Sequence, residues 1–137
     1  MSEFWDWAVS AYGRPGVAEA CLDMQDTYGQ NVPLLLWAIW RGGDIWDAVD
    51  AATMWEAEII GPLRYARRNL KRYGAFEGLR DRIKVSELEA ERALMEALEG
   101  LAGEVADENA LTKVTDRWGG APPPEALQRL QALITAA

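Results

Sequence analysis

The chain has 137 residues, of which 50% are apolar and 26% charged, with a formal net charge of −8, one cysteine and no histidine. That size and mixture define a single globular domain able to bury roughly two thirds of its unfolded surface. They exclude a membrane-spanning helix, because the longest apolar run falls far short of the ~20 residues needed. They also remove the commonest general base and the commonest metal ligand.

The lone Cys21 cannot form an internal disulfide, and the acidic start MSEFWDW lacks a basic leader region, so a cytoplasmic place is expected. A zinc or di-iron centre would have to be built almost entirely from carboxylates. No cofactor or metal is therefore expected, and a non-enzymatic role is favoured over catalysis.

Helices are predicted in chain order. Ser2 is placed to cap the first, which carries Phe4, Trp5, Ala8 and Tyr12 on one face and ends at Gly13. Arg14-Pro15-Gly16 restarts the chain, with Pro15 suited to a first helical position. Val17, Cys21, Met24 and Tyr28 then share a stripe opposite Glu19, Asp23 and Asp26. Asn31 caps a third helix whose stretch Val32–Trp40 is apolar on every side, so it should be central and buried. Gly42-Gly43 stops it and Asp44 caps the next. Pro62 must kink or divide that helix, since it removes an amide and crowds the preceding turn. Leu63 to Tyr73 is again helical, closed by Gly74. A longer helix from about 78 to 104 carries Leu88, Met95, Leu98, Ala102 and Val105 near heptad spacing, with Leu94 and Leu101 beside them. No alternating run long enough for a strand occurs.

The fold class expected is thus all-α: a compact bundle of about five to six helices with a short C-terminal helix. Two parts are expected, a helical domain over 1–106 and an extension over 107–137. In the extension, Ala121-Pro122-Pro123-Pro124 forms a stiff spacer before a short amphipathic helix. Its stripe Leu127, Leu130, Leu133 and Ile134 is too short to stand alone in water and must dock on the body, another subunit or a partner. Leu127, Leu130 and Ile134 are the residues expected to dock on a partner.

Charge is segregated along the chain. Residues 1–63 carry ten acids and two bases, residues 64–84 eight bases and two acids, and residues 85–108 eight acids and one base. Arg64, Arg67, Arg68, Lys71 and Arg72 fill an arc of roughly 140° on a helical wheel, making a basic amphipathic helix. Two readings are open. The face can bind an anion or an acidic partner, or it can be neutralised by Glu87, Glu89, Glu91, Glu96 and Glu99 of a neighbouring antiparallel helix. The acidic total argues against general nucleic-acid affinity, leaving residues 64–84 as the one segment through which it could occur.

Other candidates carry less. Asp44, Asp47 and Asp50 lack the glycine and terminal glutamate of a calcium loop. Glu87 and Glu91 have no histidine to complete a metal site, and Cys21 lies on an apolar stripe that suits an inert core thiol. Trp37, Trp40, Trp46 and Trp55 could line a pocket closed by Arg64 or Arg67, an alternative in which a small anionic or phosphorylated ligand is bound.

The blocks Phe4-Trp5-Asp6, Tyr12-x-Arg14-Pro15-Gly16-Val17-Ala18-Glu19-Ala20-Cys21-Leu22, Gln25-Asp26, Trp55-Glu56 and Pro62-Leu63-Arg64-x-x-Arg67-Arg68-x-Leu70-Lys71 keep order and spacing. Over residues 4–72 they resemble a family of small proteobacterial helical proteins of unknown function. The resemblance implies a compact cytoplasmic helical protein and brings no activity, cofactor or catalytic residue. The function expected is a protein-interaction or regulatory protein, acting on a protein partner or on itself through the basic face, the C-terminal helix or both. No membrane partner is expected.

Overall fold

A computed structural model describes residues 2–74 and 76–136. Among them every regular element is helical: α1 Glu3–Tyr12, α2 Val17–Tyr28, α3 Val32–Arg41, α4 Ile45–Trp55, a π-helical turn Glu56–Ile60, α5 Gly61–Tyr73, α6 Glu77–Glu99, α7 Ala110–Trp118 and α8 Pro124–Thr135. The fold is the expected all-α bundle, with seven helices before the short C-terminal one.

The caps explain where three helices begin. The Ser2 hydroxyl oxygen accepts from the Trp5 amide at 3.0 Å, the Asn31 side chain from Leu34 at 3.0 Å, and the Asp44 carboxylate from Asp47 at 3.1 Å. Each satisfies an amide that the first turn leaves without a partner. Glu99, at the far end of α6, accepts from the Phe4 amide at 3.1 Å and from the Ser2 hydroxyl. A carboxylate therefore closes the positive end of α1 from outside. Pro15 falls two residues before α2 rather than at its first position, because Gly16 takes a left-handed conformation with φ 83° and caps the helix itself.

Helix α3 is the hub, as its uniform apolarity demands. Residues Pro33 to Ile39 are all buried, and the helix packs against α1, α2, α4, α6 and α7. Trp37 is completely enclosed, while Trp40 lies half-buried and stacks on Phe4 with ring centroids 4.9 Å apart. Beside the turn that ends α3, backbone approaches backbone. Gly103 N–H donates to Arg41 at 2.8 Å and Asp44 N–H to Leu101 at 3.0 Å. A Cβ on Gly43 would stand 2.5 Å from the Gly103 nitrogen, so only glycine admits this contact. The same contact ends α6 at Glu99, before the expected 104, by turning Leu101–Gly103 toward α3.

Of the heptad expected along α6 only the middle, Met95 and Leu98, belongs to the buried stripe. Glu87, Ala90, Leu94, Met95 and Leu98 face inward, whereas Leu88 and Val105 are 54% and 75% exposed. Glu87 holds the inward position in the N-terminal half because it meets cations there, and Leu88 is left one residue off the stripe.

The core crosses the boundary expected between 106 and 107. Ala110, Leu111 and Val114 of α7 are buried, and α7 packs on α3 and α4. Its apolar positions recur at helical spacing over only nine residues, too short a window to stand out from the polar sequence around it. Helix α8 lies on α2, with Leu127, Leu130 and Ile134 buried at 9%, 0% and 3% exposure. The stripe expected to reach a partner is thus used within the chain.

Candidate functional site

The join between α4 and α5 sets up the site. The helical path continues past Pro62 because the chain inserts a π turn just before it. The Gly61 amide donates to the Glu56 carbonyl five residues back, and a Cβ on Gly61 would come within 2.5 Å of that oxygen. The wider turn accommodates the proline without dividing the helix, a use typical of single π turns near functional positions.

Helix α5 then packs mainly on α6 and on the π turn, and none of its residues is fully buried. It forms with the first half of α6 a two-stranded helical arm. At the arm's base three glutamates surround two arginines. Arg64 donates to Glu56 at 3.0 Å and to Glu87 at 3.3 Å, and its guanidinium lies 3.8 Å from Glu91. Arg67 donates to both oxygens of Glu87, at 2.6 and 3.4 Å. Arg64 and Glu87 are only 14% and 7% exposed at their side chains, so water screens this network weakly.

The count of charges decides the electrostatics. Burial opposes the charge on Arg64, but its hydrogen bond to Glu56 and the charges of Glu56, Glu87 and Glu91 hold its pKa above the ordinary arginine value. Glu91 is the surplus anion. Burial, then repulsion from Glu87, push it up from 4.5 to about 7, against the attraction of Arg64 and Arg67. One oxygen of Glu56 is buried with no hydrogen-bond partner.

The five bases on one arc therefore divide. Arg64 and Arg67 are consumed by the acidic helix, as the neutralised reading anticipates. Arg68 reaches Asp26 of α2 at 3.2 Å on an exposed surface, a weak pair. Lys71 and Arg72 are exposed and form no ion pair among the described residues, and the same holds for Arg82 and Lys84 across the turn on α6. Between them in the sequence Tyr73, Phe76 and Leu79 are exposed by 73%, 72% and 42%, and Tyr65, nearer the base of α5, by 72%. The aromatic residues are the part of the site the charge pattern did not announce. Glu56 is another, although it precedes Arg64 by about two helical turns and so shares a side with it.

The remaining candidates are placed elsewhere. Trp37 is buried, Trp46 is exposed beneath Arg117, and neither of the two best-defined clefts is lined by any tryptophan or by Arg64 or Arg67. One cleft, of about 510 Å³, opens between α7 and α8 beside Thr115, Gly120, Leu127 and Gln131. The other lies between Ser2, Arg92 and Glu99. Among the described residues no group of three or more Cys, Asp or Glu side chains is arranged to hold a metal ion. Burial pushes the Cys21 thiol up to about 12, which leaves it without nucleophilic thiolate at neutral pH. No described helix is long and apolar enough to cross a membrane.

The family model for a protein of unknown function, DUF2390, matches residues 3–98. The chain belongs to this family. The uncharacterised family read from residues 4–72 agrees with that match, which extends further into α6. The DUF2390 match includes the whole arm and every member of the Glu56–Arg64–Arg67–Glu87–Glu91 cluster, and it leaves α7 and α8 outside. No curated protein and no solved structure matches the chain.

Proposed function

We propose that this DUF2390 protein is a non-enzymatic interaction or regulatory module whose working surface is the outer half of the α5–α6 arm. The observation that carries the reading is the division of the basic face. Its inner arginines are neutralised at home, while Lys71, Arg72, Arg82 and Lys84 form no ion pair among the described residues, in a segment that also carries exposed aromatic rings. Cations interleaved with tyrosine and phenylalanine form a recognition surface for an anionic partner that also offers apolar contact. A proteobacterial origin and a cytoplasmic place, implied by the resemblance and the composition, belong to the same reading.

A photo-crosslinking residue placed at Tyr73 tests it in living cells, with the same residue at exposed Leu22 of α2 as control. Adducts should form from position 73 and vanish when Lys71, Arg72, Arg82 and Lys84 are reversed to glutamate. Adducts from position 22 alone would put the working surface elsewhere.

A further inference from the structure

We infer that the tip of the arm docks on an anionic lipid surface, an assignment that rests on the reading of the arm as the working surface. The tip is the turn between α5 and α6. Tyr73 ends α5, Gly74 follows with φ 64°, and Phe76 precedes α6 with φ 59°. A left-handed backbone is unfavourable for a residue with a Cβ, and a large apolar ring gains nothing from water. Phe76 bears both burdens and is 72% exposed, so packing against the described residues returns little of either. Such a residue points to a contact outside the chain.

The surroundings state what that contact is. Residues 71–84 hold five bases and two acids in a chain whose total is −8. Among the described residues only Arg80 of those bases forms an ion pair, with Asp81 at 3.9 Å. Bases are thus concentrated in the segment that also carries the exposed Tyr73, Phe76 and Leu79. Aromatic rings next to lysine and arginine suit the headgroup level of a bilayer, where the ring enters and the cations meet lipid phosphates. The nearest body carboxylate in contact with the arm is Asp26, at Arg68. Tyr73 lies five residues beyond it, about 7.5 Å along the helix axis and close to one screening length at physiological salt.

Flotation of the full chain with vesicles tests the inference, comparing phosphatidylcholine alone with phosphatidylcholine containing phosphatidylglycerol. Wild-type protein should float with the anionic vesicles only, and less so as salt rises. Lys71→Gln with Arg72→Gln should weaken binding about 25-fold, taking about fivefold per cation near a charged surface. Tyr73→Ser with Phe76→Asn keeps every charge, and asparagine tolerates the left-handed backbone, so helix content should hold while binding falls about tenfold or more. Phe76→Cys carrying an environment-sensitive dye reports insertion independently, because buried Cys21 stays unlabelled. Its emission should shift to the blue on anionic vesicles alone. Absence of flotation, equal binding to neutral vesicles, or full binding by the aromatic variant would overturn the inference. If vesicles are ignored while position 73 crosslinks to a protein, an acidic protein surface is the partner and the interaction reading stands. If position 73 crosslinks to nothing either, both fall.

Discussion

Replacing Glu91 by glutamine should make the protein more stable at pH 8 and leave it nearly unchanged at pH 5. Glu91 shares two guanidinium groups with Glu87 and Glu56, and burial together with Glu87 lifts it from the ordinary 4.5 to about 7. A carboxyl whose folded pKa is raised favours folding when protonated. That contribution is complete below the unfolded value and is lost as pH rises through about 7. The interval between the two values corresponds to about 3 kcal/mol at most, at about 1.4 kcal/mol per pH unit. Its side chain is 28% exposed, so screening reduces the expected gain to about 1–2 kcal/mol. Glutamine removes the charge and keeps the shape. Urea denaturation of both proteins at pH 5, 6.5 and 8 measures the difference at each pH, which cancels the titration of every other group. A Glu91→Gln protein that is less stable than wild type at pH 8 would refute the reasoning. It would show that attraction to Arg64 outweighs burial and the repulsion from Glu87.

The packing sets the outcome for five further variants. Trp37→Ala should cost about 3–5 kcal/mol in chemical denaturation, because the side chain is fully enclosed by the hub of the bundle, and Leu130→Ala about 2–5 kcal/mol because α8 belongs to the same core. Gly43→Ala should lower stability by about 1–3 kcal/mol or more, read as a drop in Tm, since a methyl there collides with the Gly103 and Leu101 backbone. Arg67→Glu should destabilise by about 3–5 kcal/mol by leaving Glu87 buried without its closest cation, whereas Arg72→Glu should fall within about 0.5 kcal/mol of wild type. Thermal melts of the two arginine variants side by side separate the inner face from the outer one.

Sequence by itself determined the helical class, most helix limits and the central place of α3. Those follow from local chemistry: the capping side chains of Ser2, Asn31 and Asp44, the glycine stops, and apolar side chains all round Val32–Trp40. It also located the clustered bases, because five of them recur within nine residues. The fate of those bases was beyond it. Which of them meet glutamates depends on the π turn at Glu56–Ile60 and on the register of α5 against α6, both set by tertiary packing. Arg64 and Arg67 are paired with glutamates, whereas Lys71 and Arg72 are left outward with no ion pair among the described residues. The stripe of α8 shows the same limit. Its amphipathic spacing demanded a surface to cover it, and only the folded chain shows that α2 supplies that surface. Periodicity records that a side chain must be covered; what covers it is decided by residues far away in the chain.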